Sequence, residues 1–250
     1  MYRADSPSCK KTKRKVMQGM KTLNEIMTEV KQTFSSKWSQ RNGLVVPEPE
    51  DIKLGNDGVN LDATILYADM CDSTSLVDGY KDWFAAEIYK SYLLSACHVI
   101  RNHGGSIVSF DGDRVMAVFI GKSKNSTAAK VALQINAVVR QINKVLPEKY
   151  PRNTFILHHS IGIDTGEVLA ARTGIRNSND LVWVGAAANH AAKLCGDATY
   201  EKPLVISQKV YSLLNDSSKI GGPSKINMWE KSTSAILGGA IYKSSWYWDF

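Results

Sequence analysis

The chain has 250 residues, of which 44% are hydrophobic and 22% are charged, with 18 glycines and 7 prolines. This composition is typical of a globular domain and excludes a collagen-like, disordered or wholly coiled-coil chain. No apolar run approaches the roughly 18 residues that a membrane-spanning helix needs. The basic N-terminus has no apolar segment behind it, so no signal peptide is expected.

The cysteines indicate a cytoplasmic protein. The chain contains Cys9, Cys71, Cys97 and Cys195, and no two of them form a CxxC pair. This spacing favours reduced thiols over a disulfide framework or a zinc site.

Positive charge is concentrated in an N-terminal arm, residues 1–45. The arm carries ten Lys and Arg against three acids, whereas residues 46–250 carry 21 of each sign. Because no aromatic stacking pattern accompanies this charge, a solvated helix face is favoured over nucleic-acid or lipid binding. Apolar residues recur in the arm at spacings of four and three, which predicts a helix with one narrow apolar stripe. The stripe consists of Val16, Met20, Leu23, Met27, Val30 and Phe34. It either packs on the main domain or pairs two copies of the chain.

The rest of the chain predicts a linker, a mixed domain and an extension. Residues 46–57 contain two prolines and several acids and are interpreted as a linker. Over 58–215 the predicted elements follow the ferredoxin-like order βαββαβ with extra strands and helices, an α+β fold. Residues 216–250 form a less regular extension, and its aromatic end is predicted to cover an apolar surface. Strands are predicted over 63–69, 106–110, 113–120, 154–163, 181–185 and 203–207. Helices are predicted from after 69 to about 102 and over 127–146, 187–195 and 208–214.

Two carboxylates occupy positions where chemistry is plausible. Asp69 ends the first predicted strand, and Asp113 follows the Asp111-Gly112 pair, a strong hairpin signal. In a ferredoxin-like sheet the first strand lies beside the hairpin, so both carboxylates are expected at one edge. Paired carboxylates there suit Mg²⁺ or Mn²⁺ beside a phosphate chain. Ordinary turn chemistry explains either aspartate alone.

Two further clusters suit a nucleotide. Residues 72–75 open a helix, whose free N–H groups bind phosphate oxygens well, although plain N-capping explains the same residues. Asn189 and Lys193 are four residues apart and share one helix face. An amide beside a cation suits a sugar and its phosphate, and a simple surface pair is the alternative.

Four segments in order resemble the motifs of class III nucleotidyl cyclases, and together they span roughly residues 58–212. YADMCDSTSL at 67–76 looks like the first metal motif, and FDGD at 110–113 resembles the hairpin motif. IGIDTGEV at 161–168 is similar to the "GIHTGEV" strand, and GAAANHAAKL at 185–194 to the "G-x-x-V-N-x-A-x-R-L" helix.

The resemblance implies a role for each matched position. Asp69, Asp113 and the Met70 carbonyl would hold two divalent cations, Mn²⁺ or Mg²⁺, while Asn189 would orient the ribose and Lys193 would contact the phosphates. The ribose 3′-oxygen would attack the α-phosphorus, closing a 3′,5′-cyclic nucleotide and releasing pyrophosphate. The family works as a homodimer with shared active sites, in which one subunit supplies the metal acids and the other supplies the Asn/Arg pair. The expected nucleotide-binding residues are Tyr67, Cys71, Asp72, Ser73, Thr74, Ser109 and Val182.

Several positions depart from the family pattern. Lys193 stands where the family usually has arginine, which loses the bidentate fork but keeps a charge. Asp72 replaces a usual glycine and places a negative charge near the triphosphate, which is unfavourable unless the carboxylate faces away or meets a cation. Asp164 replaces a histidine.

The base-selecting positions match neither purine code. Adenylate cyclases usually carry Lys and Asp, and guanylate cyclases Glu and Cys, at the positions that align with Ser109 and Val182. A small hydroxyl and an apolar side chain do not reproduce those hydrogen bonds. Small class III cyclases without a fused sensor domain resemble the pyrimidine cyclases of Pycsar anti-phage defence, which make cyclic UMP or cyclic CMP.

These observations favour a pyrimidine nucleotide cyclase that uses UTP rather than CTP and whose product acts on a cyclic-nucleotide effector. The alternatives are an adenylate cyclase that makes cyclic AMP and a catalytically silent module that binds nucleotide or only dimerises. Nucleic-acid binding through the arm is a further alternative, and it would be sensitive to salt.

Overall fold

The computed structural model describes residues 20–250, so Cys9, Val16 and the basic cluster at 10–15 lie outside the described residues. The chain divides into two units between Lys37 and Trp38. Each unit is described by itself.

The first unit contains one described helix, α1 (Leu23–Ser35). It begins with a capping box in which the Glu25 N–H donates to the Thr22 hydroxyl and the Glu25 carboxylate accepts the Thr22 N–H at 2.7 Å. Such reciprocal bonds satisfy backbone donors that a helix start otherwise leaves unpaired. Leu23, Met27, Val30 and Phe34 of the predicted stripe lie on this helix.

The second unit is a mixed sheet with helices on both faces. Its strands are β1 (Ser39–Asn42), β2 (Asp57–Met70), β3 (Ser106–Asp111), β4 (Arg114–Phe119), β5 (His159–Ile175), β6 (Ser178–Val184), β7 (Leu204–Ser207), β8 (Ile220–Gly221), β9 (Ile226–Asn227), β10 (Glu230–Thr233) and β11 (Ala240–Ser244). Its helices are α2 (Ser73–Gly79), α3 (Asp82–Asn102), α4 (Lys124–Lys149), α5 (Ala186–Leu194), α6 (Gln208–Ser212) and α7 (Asp216–Lys219). Short 3₁₀ turns cover Pro49–Asp51 and Cys195–Asp197.

The sheet runs β10-β11-β7-β5-β2-β4-β3, with β1 added to β2 and β6 added to β5. β1 pairs in parallel with β2 and β7 with β5, while the other pairs are antiparallel. Strands β8 and β9 form a separate small sheet. The central βαββαβ order that the sequence predicts is present in β2, α3, β3, β4, α4 and β5.

The side chains of β2 point alternately into two separate hydrophobic cores. Leu66 and Ala68 belong to the core that includes residues of α3 and α4. Ala63 and Ile65 belong to a second core that includes Ala188 of α5. Because successive side chains of a strand point to opposite faces, α3 and α4 cover one face of the sheet and α5 covers the other.

The fourth predicted strand, β5, differs from its predicted bounds of 154–163. β5 begins at His159, because the Asn143 side chain takes both the N–H and the carbonyl of Leu157, at 2.8 and 2.9 Å, and so replaces ladder pairing there. At its other end β5 continues to Ile175, because it pairs with β2 as far as Ala171 and with β6 beyond that point.

Residues 39–57 also differ from the predicted arm and linker. Ser39–Asn42 form β1 against the first residues of β2. In the predicted linker Ile52 is fully buried. The Arg41 guanidinium bridges the Asp57 carboxylate at 2.9 Å and the Asp51 carbonyl at 2.6 Å. These long-range contacts fold the segment onto the sheet.

The C-terminal residues are more regular than the predicted extension. β11 pairs with β7 and so widens the main sheet. The aromatic tail then lies on α4: Asn136 donates to the carbonyls of Ser245 and Trp246 at 3.2 and 2.9 Å, and the Trp248 N–H donates to the Leu133 carbonyl at 3.1 Å. Among residues 20–250, no helix is long and apolar enough to span a bilayer.

Candidate active site

Asp69 and Asp113 lie at one edge of the sheet. Ala68 is opposite Val115 in the β2–β4 pair, so the end of β2 meets the start of β4. The hairpin before β4 turns through two residues, Gly112 and Asp113, between the paired Asp111 and Arg114. Gly112 has φ 60°, which glycine adopts without strain. The strand end and the turn therefore place the two carboxylates together.

Cys71 is partly buried beside these carboxylates, and both features change the pKa of its thiol. Burial, together with the nearby Asp72, Asp69 and Asp113 carboxylates, raises the pKa of Cys71 to about 11. A thiolate here would be desolvated and would face three negative charges. Cys71 is thus a neutral, half-buried wall of the site.

Asp69 is held by two contacts. Its Oδ2 accepts a hydrogen bond from Arg114 Nη2 at 2.5 Å, and its carbonyl accepts one from the buried Tyr92 hydroxyl at 3.2 Å. The bond to Asp69 raises the pKa of Arg114, whose guanidinium lies 5.8 Å from the centre of the Tyr67 ring. The sequence alone did not identify Arg114 as a residue of this site. The signal available was its place at the start of the strand after the hairpin, a strand that a ferredoxin-like sheet sets beside the strand ending at Asp69.

The Asp113 carboxylate fits a cation. Its Oδ2 is buried and has no hydrogen-bond partner. An unpaired buried carboxylate oxygen is costly, and a divalent cation is the group that carboxylates of this kind usually hold. No cluster of three or more His, Cys, Asp or Glu side chains arranged for a metal exists among the described residues. A cation here would therefore rest on the two aspartates and backbone oxygens.

The loop after β2 departs from regular structure at Asp72. The Cys71 N–H donates to the His158 carbonyl at 2.9 Å, which extends the pairing of β2 by one residue. Asp72 then adopts the left-handed conformation at φ 58° and ψ 29°. This backbone geometry favours glycine, the residue usual in class III cyclases, and aspartate tolerates it better than most residues do.

The Asp72 side chain does not cap the helix that follows. It makes no side-chain cap hydrogen bond to α2, which begins with Ser73 and Thr74. Its carboxylate instead accepts a hydrogen bond from the Tyr200 hydroxyl. The negative charge that the sequence placed near a triphosphate is therefore bonded to a neighbouring loop.

Asn189 and Lys193 are exposed on one face of α5. The helix is set against β5 by a close approach: a Cβ at Gly162 would lie 2.0 Å from the Ala191 carbonyl oxygen, so only glycine fits there. His190 Nδ1 also lies 3.1 Å from Oδ2 of Asp164, which is buried. This contact accounts for the aspartate at 164, which the sequence left unexplained.

The predicted site residues fall into separate groups within one chain. No hydrogen bond or ion pair joins Asn189 or Lys193 to Asp69 or Asp113 within 20–250. Ser109 lies on the edge strand β3 and Val182 on β6, with β5, β2 and β4 between them in the sheet. Tyr67 lies on β2, two residues before Asp69.

Comparison with known proteins gives the site a context. No family model matches the chain. A uridylate cyclase from Xanthomonas perforans is 43% identical over 231 residues, which cover 90% of this chain and 97% of that protein. A uridylate cyclase from Burkholderia cepacia is also 43% identical over 231 residues, covering 92% and 99%. A third, from a Rhodovulum strain, is 37% identical over 235 residues, covering 92% and 98%.

Solved structures show the same architecture. A guanylyl cyclase matches with a TM-score of 0.64 at 21% identity, covering 77% of this chain and 95% of that one. An adenylyl cyclase from P. aeruginosa matches with a TM-score of 0.61 at 22% identity, covering 74% and 94%. These similarities establish the class III cyclase fold that the sequence motifs predict.

Proposed function

The chain belongs to the uridylate cyclase family and is a nucleotidyl cyclase, and from this premise we propose that it converts UTP to 3′,5′-cyclic UMP and pyrophosphate. Similarity to uridylate cyclases along nearly the whole chain is the observation that carries the proposal. Ser109 and Val182 support it, because neither side chain offers the hydrogen bonds that purine cyclases use.

The chemistry is assigned to residues at the edge of the sheet. Asp69, Asp113 and the Met70 carbonyl would hold Mn²⁺ or Mg²⁺, which stabilises charge on the phosphates and favours ionisation of the 3′-hydroxyl. The unpaired oxygen of Asp113 supports this assignment. Arg114 orients the Asp69 carboxylate through its 2.5 Å hydrogen bond.

The remaining residues bind and orient the nucleotide. The segment 70–74 would contact the β- and γ-phosphates through its backbone, with the Asp72 side chain turned toward Tyr200, and Tyr67 would line the same side of the site. Asn189 would orient the ribose, and Lys193 would neutralise phosphate charge as a point charge rather than a fork. Ser109 and Val182 would face the base.

The active enzyme is proposed to be a homodimer. The exposure of Asn189 and Lys193 supports a site that one subunit's α5 completes against the other subunit's Asp69 and Asp113. All of these residues fall within 58–215, the catalytic domain of this proposal. The part of the basic arm that precedes β1 is proposed to assist pairing. The scattered cysteines favour the cytoplasm as the location of the enzyme.

Cyclic UMP is further proposed to be a second messenger in anti-phage defence, read by a cyclic-nucleotide effector. The resemblance to Pycsar cyclases supports this role. Bacteria that carry the chain with its effector should show fewer plaques than bacteria that carry the Asp69→Ala variant. Equal plaque counts would contradict the role in defence but not the enzymatic activity.

The product identifies the substrate directly. Purified protein is incubated with Mn²⁺ and each of the four ribonucleoside triphosphates in turn, and products are identified by mass spectrometry. Cyclic UMP as the main product is expected. Cyclic AMP would instead favour the adenylate cyclase alternative, and no cyclic product from dimeric protein would favour a silent module.

A further inference from the structure

A two-residue turn carries Tyr200 to the loop that follows β2. Thr199 and Lys202 exchange reciprocal backbone hydrogen bonds at 3.2 and 3.1 Å, with Tyr200 and Glu201 at the tip. The Lys202 N–H also donates to the Thr199 hydroxyl at 3.1 Å. These bonds fix the turn, so Tyr200 is presented from a defined backbone although its side chain is largely exposed.

Tyr200 contacts both the Asp72 carboxylate and the His158 ring. Its hydroxyl donates to the Asp72 carboxylate. Its ring stacks on the His158 ring, with centroids 4.1 Å apart and planes at 18°. The His158 carbonyl in turn accepts the N–H of Cys71, the residue before Asp72, at 2.9 Å. The imidazole therefore holds the face of the tyrosine ring, and the carboxylate holds its hydroxyl group.

The Asp72 charge has no cationic partner. Among residues 20–250 no Lys or Arg forms an ion pair with it; Lys202, on the same turn as Tyr200, pairs with Glu230 at 2.6 Å. The Tyr200 hydroxyl is the polar group that meets the carboxylate. The bond to Asp72 raises the pKa of Tyr200, so the hydroxyl keeps its proton at neutral pH and remains a donor.

We propose that Tyr200 is a positioning residue that directs the Asp72 carboxylate toward the 199–202 turn and so keeps its charge from repelling the triphosphate of the substrate. This inference rests on the proposed function, which places the phosphates at residues 70–74. A carboxylate that is free to rotate would spend part of its time beside the phosphates, where two like charges a few ångströms apart disfavour binding. The tyrosine thereby lets an aspartate occupy a position where class III cyclases usually have glycine.

Removing the hydroxyl alone tests the proposal. Tyr200→Phe keeps the ring that stacks on His158 but frees the carboxylate. It should raise the KM for UTP by about threefold or more, the effect of one partly screened charge, while kcat stays within about twofold. Asp72→Asn removes the charge, so the double variant Tyr200→Phe with Asp72→Asn should recover the wild-type KM. Asp72→Asn alone should not raise it.

A second probe separates this inference from the identity of the substrate. Inorganic tripolyphosphate with Mg²⁺, titrated by calorimetry, reports on the phosphate site alone. Its Kd should rise in Tyr200→Phe by the same factor and recover in the double variant. If wild-type protein binds tripolyphosphate but forms no cyclic UMP, the proposed substrate fails while this pattern of Kd values still decides the role of Tyr200.

The control is Tyr150→Phe, which removes a hydroxyl that also donates to an exposed carboxylate, that of Glu87, on α3. It should leave the KM and the tripolyphosphate Kd unchanged, and thermal melting should show that every variant is folded. Any of four results would overturn the proposal: unchanged constants in Tyr200→Phe, a double variant as weak as Tyr200→Phe, weaker binding in Asp72→Asn alone, or no tripolyphosphate binding by wild-type protein. A loop that merely loosened without its tyrosine would give the second of these results.

Discussion

One oxygen atom distinguishes Asp113 from an ordinary turn aspartate. Turn aspartates usually bond to nearby backbone N–H groups, whereas Oδ2 of Asp113 is buried with no partner. The energetic cost of that burial is offset if a cation binds there. The sequence offered both interpretations, and the burial of this oxygen favours the metal site.

Asp113→Asn should lower kcat by about 100-fold or more, because an amide oxygen carries no charge to hold a divalent cation. The rate of cyclic UMP formation in Mn²⁺ is the measurement. Asp111→Asn is the matched control, since Asp111 is an exposed aspartate of the same hairpin, and it should retain activity within about threefold. Equal losses in the two variants would mean that the hairpin, not the metal position, had been damaged.

His159 gives the protein a specific sensitivity to acid. Burial lowers the pKa of His159 from 6.5 to about 3, and its Nε2 contacts Oδ1 of Asn136 at 3.1 Å. Between these two pH values the unfolded chain binds a proton that the folded chain does not. The free energy of unfolding therefore falls as the pH falls through this window, by ~1.4 kcal/mol per pH unit from this residue.

His159→Gln should make that dependence shallower, because glutamine does not titrate. Urea unfolding at several pH values between about 6 and 4 measures the slope. His98→Gln, at an exposed position on α3, should leave the slope unchanged. The prediction fails if the His159 variant keeps the wild-type slope.

At the scale of elements, the C-terminal tail is part of the fold rather than an appendage. Asn136, in the middle of α4, bonds to two tail carbonyls and to His159. Arg140, one turn further along α4, lies 4.4 Å from the centre of the Tyr247 ring. One helix face thus holds the tail on one side and the start of β5 on the other.

Asn136→Ala should lower the free energy of unfolding by about 1–3 kcal/mol, because two partly buried tail carbonyls and a buried imidazole lose their partner. Chemical denaturation measures the change. Gln141→Ala, on an exposed position of the same helix, should change it by less than about 0.5 kcal/mol. Equal effects in the two variants would mean that the tail contacts contribute little.

At the scale of the whole molecule, the proposed site residues lie in two separate places on one chain. Asn189 and Lys193 lie on α5, and Asp69 and Asp113 lie where β2 ends and β4 begins. In the proposed two-fold dimer each such group would meet its complement on the partner, so two composite sites would form. A variant that lacks one group and a variant that lacks the other should therefore restore activity when they pair in one dimer.

Asp69→Ala and Asn189→Ala homodimers should both be inactive, because each lacks one half of both sites. A heterodimer of the two variants contains one intact site and should recover about half of the wild-type activity. Two affinity tags isolate the heterodimer, and cyclic UMP formation is then measured. No recovery in a verified heterodimer would exclude the shared-site arrangement.

Local sequence signals determined much of the site. The Asp-Gly pair specified the hairpin because a positive φ at glycine is a property of the turn itself. The placement of Asn189 and Lys193 on one face of α5 followed from helical periodicity. The order of the motifs was enough to indicate the cyclase fold, since each motif is a short continuous segment.

Only the tertiary structure decided which distant residues meet. The Arg114 contact with Asp69, the Tyr200 contact with Asp72 and the Asp164 contact with His190 each join residues at least 26 positions apart. The pairing of the strand at 39–42 with β2 and the contacts of the tail with α4 also join residues that are distant in sequence. Such contacts depend on strand register and loop path, which no local propensity encodes. For this reason the sequence alone predicted that the Asp72 charge would be unfavourable unless it faced away or met a cation, and only the folded chain showed that its carboxylate bonds to Tyr200.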